Sequence, residues 1–85
     1  MKDSKGRGVI RIGDKSSHGG TVISASASFT VLGKGVALEG DAVQCPACKG
    51  VFKVKVDESE RRHHGKLVAY AGDQTACGAV LVSSL

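Results

Sequence analysis

The chain has 85 residues, of which twelve are glycine and none is tryptophan, and its formal net charge is +4. A chain of this length buries only about 60% of the surface that it exposes when unfolded, so we expect a thin core and an additional staple such as a metal. The composition argues against a helical domain, because glycine is unfavourable in helices. No apolar run reaches the roughly 18 residues of a membrane span, and the opening MKDSKGRG lacks the apolar segment of a signal peptide.

Short apolar runs bounded by glycine, serine and aspartate follow one another along the chain, a pattern typical of strands joined by turns. In chain order the predicted strands are GVIRI at 8–12, GTVIS at 20–24, FTVL at 29–32, VFKVKV at 51–56, KLVAY at 66–70 and AVLVSSL at 79–85. Alternation is clearest in the fourth run, where lysines alternate with Phe52, Val54 and Val56. The sequence predicts an all-β fold in one domain, residues 1–85.

The three cysteines, Cys45, Cys48 and Cys77, indicate a metal site. We expect the chain to be made in the cytosol, where disulfides are rare and cysteine clusters more often bind metal or act in catalysis. In QCPACKG the C-x-x-C spacing lets two thiolates reach one ion from a tight turn. A thioredoxin-like pair would begin a helix, and no helical pattern follows Cys48. Inert, buried cysteines are the other alternative.

A segment of thirteen residues recurs along the chain. GKGVALEGDAVQC at 33–45 and GKLVAYAGDQTAC at 65–77 share seven identities without a gap, and GRGVIRIGDKSSH at 6–18 follows the same pattern. The first copy ends in His18, whereas the later copies end in Cys45 and Cys77. An exchange of cysteine for histidine keeps an electron-pair donor for a soft or borderline metal, whereas a packing position would take a small apolar residue.

The middle copy carries an inserted CPA and a further donor. The residues that follow, CKGVFKV at 48–54, align with HGGTVIS and CGAVLVS from Cys48 onward. The candidate metal ligands are therefore His18, Cys45, Cys48 and Cys77. Four is the number that a closed tetrahedral structural zinc site needs, and these residue types do not separate zinc from iron.

Two more histidines, His63 and His64, are rivals for the fourth position. They precede the Gly-Lys step of a hairpin and lie several residues from the ligand positions, so we expect both at a solvated hairpin tip, with His64 the stronger rival. For the repeated aspartates we expect turn formation, in which each carboxylate bonds to a backbone amide two residues further on. They are Asp14, Asp41 and Asp73.

The G-D-x-x-x-[HC] step after a G-K-x-V-A hairpin, repeated in a small glycine-rich chain, resembles the PAAR-repeat proteins. GDKSSHGGTVIS and VALEGDAVQCPACKG are close to typical segments of that family. The resemblance implies a pseudo-threefold cone of short strands and hairpins with one zinc at its apex, built from units at about 6–18, 33–45 and 65–77. The serine-proline-threonine hairpin of the family reads SASFT at 26–30 here, and DESERRHHGK at 57–66 lacks it.

The same resemblance implies a role as the non-enzymatic tip of a bacterial type VI secretion spike. We expect one monomer to cap the trimeric valine-glycine-repeat spike protein, with secreted effectors as further partners. Such a tip is held in the bacterial cytoplasm before firing, is then secreted or delivered to target cells, and pierces the target membrane mechanically. With nothing outside the repeat, the chain resembles a bare tip.

Two other functions fit parts of the sequence. A zinc-ribbon-like nucleic-acid-binding module would need a gathered basic face and stacking aromatic residues. The densest basic cluster, ERRHHGK at 60–66, is expected to be a solvated tip, and the chain has one tyrosine and two phenylalanines. A thiol redox enzyme would need a free cysteine of low pKa. The sequence shows no carboxylate pair, nucleophile–base motif or phosphate loop, so we expect no catalytic residues.

Overall fold

The computed structural model describes residues 6–56, 61–63 and 65–84, and over these residues it contains strands, bridges and turns but no helix. No segment among them is a helix able to cross a membrane. The strands are β1 Lys15–Ser16, β2 Thr21–Val22, β3 Thr30–Val31, β4 Lys34–Gly35, β5 Ala42–Cys45, β6 Gly50–Lys55, β7 Arg62–His63, β8 Lys66–Leu67, β9 Gln74–Thr75 and β10 Leu81–Val82.

Six of these strands form one antiparallel sheet in the order β10-β1-β2-β5-β6-β9. A bridge between Gln74 of β9 and Val80, next to β10, joins its two edges. The sheet is thus nearly closed and consists of three hairpins, β1–β2, β5–β6 and β9–β10, one for each copy of the repeat. Closure removes the unpaired edges that an open sheet would present. The all-β fold predicted from the sequence and the pseudo-threefold architecture implied by the family resemblance are confirmed.

Three backbone hydrogen bonds close a ring where the repeat units meet. The amide of Ile10 donates to the carbonyl of Ala69 at 3.0 Å, Ala69 donates to Ala37 at 3.0 Å, and Ala37 donates to Ile10 at 2.8 Å. All three residues are fully buried. Each unit is therefore tied directly to both of the others by equivalent bonds.

Two apolar clusters fill the interior. The first contains the ring residues and one inward residue from the second strand of each hairpin, namely Val22, Val54 and Leu81. The second is formed by the residues that precede the ring residues, with two larger neighbours: Val9, Val36, Val68, Leu38 and Tyr70. The chain has few aromatic residues, so β-branched and small side chains supply most of this packing.

A Gly-Asp step turns each unit into its hairpin. The three glycines have φ between 87° and 97°, a left-handed conformation that glycine adopts without steric cost. The aspartate carboxylate then accepts a backbone N–H bond from the residue three positions earlier. These bonds join Arg11 to Asp14 at 2.8 Å, Leu38 to Asp41 at 2.7 Å and Tyr70 to Asp73 at 2.8 Å. The aspartates take part in turns, as expected. The expected bond to an amide two residues further on is wrong, because the amide that donates to each carboxylate lies three residues earlier, on the other side of the turn.

Candidate metal centre

The tips of the three hairpins carry the four candidate ligands. His18 lies in the turn between β1 and β2, and Cys77 in the turn between β9 and β10. Cys45 is the last residue of β5, and Cys48 lies in the turn between β5 and β6. Because each hairpin pairs side by side with the next around the closed sheet, all three tips lie at the same end. Residues far apart in the sequence thus come together.

The two shorter tips are braced in the same way. In the first, the amide of Ser16 donates to the carbonyl of Gly20 at 3.0 Å, and the amide of Gly20 donates to Ser16 Oγ at 3.0 Å. In the third, Thr75 and Ala79 repeat both bonds at 2.9 and 3.2 Å. A side-chain hydroxyl therefore fixes the base of each three-residue tip, and the ligand is the central residue of that tip.

The middle tip is longer because Cys45 pairs with Gly50 across a four-residue turn. The amide of Lys49 donates to the carbonyl of Pro46 at 3.3 Å, and Lys49 has φ of 55°. This turn places a second sulfur, that of Cys48, beside the first.

The insertion in the middle hairpin is longer than the sequence alignment suggested. In each unit the glycine of the Gly-Asp step donates to a carbonyl of the second strand, and these carbonyls belong to Val22, Val54 and Leu81. The alignment from Cys48 had matched Phe52 with Val22. The counterpart is Val54, two residues further on, because β5 and β6 extend as a longer ladder before the turn.

The donor atoms of His18, Cys45, Cys48 and Cys77 all lie within 4.8 Å of one another. His18 Nδ1 is 3.7 Å from Cys45 Sγ and 3.7 Å from Cys48 Sγ. In a tetrahedral zinc site, with Zn–S of about 2.3 Å and Zn–N of about 2.0 Å, neighbouring donor atoms lie about 3.5–3.8 Å apart. The distances and the soft or borderline donors fit a metal ion, and the cluster could hold one.

Solvent reaches the cluster from one side. Cys45 is 0% exposed, Cys77 is half-buried, and Cys48 is the most exposed of the three cysteines. The imidazole of His18 lies at the exposed tip of its hairpin. The hairpin walls thus cover the inner side of the cluster, whereas Cys48 and His18 form its outer side.

The three thiols influence one another's protonation. The Thr75 hydroxyl lies 3.0 Å from Cys77 Sγ and, as the main cause, lowers the pKa of Cys77 to about 6. Interaction with the sulfur of Cys45, and then with that of Cys77, raises the pKa of Cys48 to about 12. Sulfurs this close do not all ionise at neutral pH without a nearby cation. A divalent ion would supply the positive charge that three thiolates need.

The structure places His63 away from the cluster. Its Nε2 is 2.8 Å from Ser28 Oγ, and its ring centroid is 5.1 Å from that of Phe29. His63 thus links β7 to the segment before β3. His64 lies outside the described residues, so the expectation for it stays a prediction.

Sequence reasoning missed Thr75, whose hydroxyl contacts the sulfur of Cys77. The available signal was the equivalence of Thr75 with Ser16 in the repeat, since both carry a hydroxyl two residues before the ligand. The contact of His63 with Ser28 left no such signal, because it joins two hairpins whose sequences differ from the repeat pattern.

A nearly closed sheet of three repeated hairpins, with one histidine and three cysteines clustered at the tips, defines a small all-β repeat domain that could hold a metal ion. The family model described as the PAAR motif matches residues 12–83, and the chain belongs to that family. No curated protein matches the chain. Membership fits a spike-tip component of a secretion system, and the His/Cys cluster could hold a metal ion.

Proposed function

We propose that this protein is the structural, non-enzymatic tip of a bacterial type VI secretion spike, with one zinc ion bound by His18, Cys45, Cys48 and Cys77. It caps the trimeric valine-glycine-repeat spike protein as a single monomer, first in the cytoplasm and then on delivery to target cells. One observation carries the proposal: the PAAR motif match includes the three hairpins whose tips bring these four donors together.

Bound zinc would supply a cross-link, and the chain's own residues prepare the site for it. The hydroxyls of Ser16 and Thr75 hold two tips in shape, and the Pro46 turn holds the third. Structural zinc contributes on the order of 10–16 kcal/mol in zinc-finger peptides, compared with about 5–15 kcal/mol for the net stability of a domain. Because the buried ring and the two apolar clusters include none of the four ligands, the contribution of the ion would act mainly at the hairpin tips.

The pseudo-threefold arrangement supports a threefold partner. The ring of Ile10, Ala37 and Ala69 relates three equivalent chain segments about one axis. A monomer with this internal symmetry can present three similar surfaces to a trimer, so one copy satisfies all three subunits. The hairpin tips occupy one end of the molecule, and the opposite end is then the face for the spike.

The structure favours this role over nucleic-acid binding. Tyr70 is 1% exposed, and Phe29 packs against His63. Side chains held in this way cannot stack freely on bases, which is how single-stranded nucleic acid is commonly bound.

The proposal is tested by mixing the purified chain with the trimeric spike protein of the same organism. Light scattering on the isolated complex should give one chain per trimer, and elemental analysis should give one zinc per chain. A folded, metal-loaded chain that leaves the trimer unbound would reject the spike role. A chain that binds the trimer without metal would reject the zinc site and leave the spike role intact.

A further inference from the structure

The middle hairpin tip carries two sulfurs on one short turn. Cys45 Sγ and Cys48 Sγ each lie 3.7 Å from His18 Nδ1 and within 4.8 Å of each other. We infer that this pair is also a site of reversible two-electron oxidation. In the metal-free chain, a peroxide oxidises Cys45 and Cys48 to a disulfide, which closes the site to metal. The effect on metal binding rests on the proposed zinc site, whereas the disulfide chemistry does not.

Accessibility favours Cys48 as the thiol that reacts first, although the neighbouring sulfurs raise its pKa to about 12 and so slow its reaction at neutral pH. Cys48 is the most exposed of the three cysteines, whereas Cys45 is 0% exposed. A small oxidant from solvent therefore meets the sulfur of Cys48 before it meets that of Cys45. Cys45 needs no access to solvent in the second step, because its partner is already beside it.

The local backbone favours Cys45 over Cys77 as the second thiol. Cys45 and Cys48 belong to one turn, held by the pairing of Cys45 with Gly50 and by the bond from Lys49 to Pro46. Cys77 comes from a different hairpin, and its sulfur is engaged by the Thr75 hydroxyl at 3.0 Å. Closing a link within one turn requires no movement of one hairpin against another. The three-residue spacing is that of reversible C-x-x-C disulfides.

The two steps balance in atoms and electrons. Cys48 first gives its thiol proton to water, and its sulfur then attacks one oxygen of hydrogen peroxide. The O–O bond breaks, and the hydroxide that leaves takes up a proton to become water, so that Cys48 becomes a sulfenic acid. The sulfur of Cys45 then attacks the sulfur of that sulfenic acid, the S–S bond forms, the S–O bond breaks, and a second water leaves. The two thiols lose two electrons and two protons, and the peroxide is reduced to two waters.

The disulfide removes two of the four donors. A metal requires deprotonated thiolates, and the oxidised pair no longer provides them, so only His18 and Cys77 remain. A thiol reductant restores both thiolates and with them the site. A chain that binds metal before it leaves a reducing compartment is therefore protected from oxidation of its thiolates. A metal-free chain forms the disulfide and can no longer bind the metal.

The test uses the full chain, stripped of metal with a chelator and treated with hydrogen peroxide in native buffer. The intact mass should fall by about 2 Da, the mass of two hydrogens. Peptide mapping should place the link between Cys45 and Cys48 and leave Cys77 open to alkylation. Zinc uptake should be lost and should return after reduction. The metal-loaded chain should be oxidised at least about tenfold more slowly, because its thiolates are coordinated.

The same reaction in concentrated urea is the reference, because in an unfolded chain the three cysteines meet only by random chain motion, without the hairpin geometry. A link from Cys48 to Cys77, oxygen addition to Cys48 without a link, or a Cys45–Cys48 link that forms no faster than in urea would each overturn the inference. In variants, Cys77→Ser should keep the mass loss and Cys45→Ser should abolish it. Capture of the trimeric spike protein by the untreated, metal-loaded chain is scored separately, so that failure of the spike role is distinguished from failure of the thiol chemistry.

Discussion

Cys77 connects the last hairpin to the rest of the candidate site. Its sulfur comes from the turn between β9 and β10 and is oriented by the Thr75 hydroxyl at 3.0 Å. The other two sulfurs both belong to the β5–β6 hairpin. A metal bound by all four residues would therefore attach the third hairpin through Cys77 alone.

Replacing Cys77 with serine should lower metal affinity and thermal stability together. Serine keeps the size of the side chain but offers a hydroxyl in place of a thiolate, so we expect at least about a tenfold loss of zinc affinity. The melting temperature should fall as well, since each 1 kcal/mol corresponds to about 4–8 °C in a domain of this size. Competition with a chromogenic chelator and thermal unfolding measure the two quantities.

His63→Ala is the matched control for that experiment. It removes a potential metal donor that the structure places against Ser28 and Phe29, away from the cluster. Zinc content should remain at one ion per chain. A zinc-free His63→Ala protein, or a Cys77→Ser protein that melts like the parent, would contradict the assignment of ligands.

The Gly-Asp turns allow a second substitution pair, at Asp41. Its Oδ2 accepts the amide of Leu38 at 2.7 Å, and Oδ1 accepts a bond from Ser24 Oγ at 3.3 Å. Asp41→Ala leaves the Leu38 amide without its acceptor, so we expect a loss of about 1–3 kcal/mol. Asp41→Asn keeps an acceptor oxygen and should lose less. Urea unfolding of both variants checks the order, and equal losses would show that the charge matters rather than the bond.

At the scale of elements, the repeat predicted the number of hairpins and the convergence of their tips. Sequence patterns placed strands near β2, β3, β6, β8 and β10, whereas the run predicted at 8–12 forms only isolated bridges. The patterns missed the short strands β1, β4, β7 and β9 and the longer strand β5. Ala42–Cys45 reads as a ligand segment because only Val43 is a β-branched residue there. Its pairing with both β2 and β6 makes it a strand. Pairing of this kind depends on distant residues and is not encoded in a short window.

Arg11 shows a different limit of sequence reasoning. It occupies the repeat position of Leu38 and Tyr70, yet it is an arginine that is 6% exposed. Its guanidinium donates to the carbonyl of Val31 at 3.1 Å and to Ser84 Oγ at 2.8 Å. The residues that accept these bonds are twenty and seventy-three positions away. The sequence alone therefore gave no reason to bury a charge at this position.

Close packing between hairpins yields a prediction for two glycines. A Cβ on Gly20 would lie against the carbonyl oxygen of Gln44 in β5 and 2.7 Å from Ser16 Oγ. Gly20→Ala should therefore cost about 1–3 kcal/mol through overpacking. A Cβ on Gly50 would make only ordinary contacts with the Phe52 ring, at 3.4 Å, and Gly50→Ala should stay within about 0.5 kcal/mol of the parent. Chemical denaturation of both variants tests this contrast, and equal stabilities would mean that β2 and β5 can separate at little cost.

At the scale of the whole molecule, the threefold order is kept inside and lost outside. The inward positions Val22, Val54 and Leu81 are all buried. The outward residues that follow them are Ile23, Lys55 and Val82, which are exposed and differ in character. Packing around one axis restricts the inner positions to similar apolar side chains, whereas solvent tolerates any outer residue. The threefold order is thus confined to the packed interior, and the sides are free to differ.

The two ends of the molecule should respond differently to loss of the metal. At the tips, the amides of Gly20 and Ala79 donate to the hydroxyls of Ser16 and Thr75, and neither residue belongs to the two apolar clusters. The ring residues Ile10, Ala37 and Ala69 belong to the first apolar cluster, follow residues of the second cluster in the chain and are fully buried. Local opening is easiest where apolar contacts are few.

We therefore expect chelation of the metal to abolish hydrogen-exchange protection at the tips before the ring. Exchange measured by NMR should speed up most at the Gly20 and Ala79 amides and least at those of Ala37 and Ala69. Adding zinc back should restore the original rates, and adding calcium, which prefers oxygen donors, should leave them fast. Equal loss of protection at tips and ring would contradict local stapling, because it would mean that the ion stabilises the whole fold as one cooperative unit.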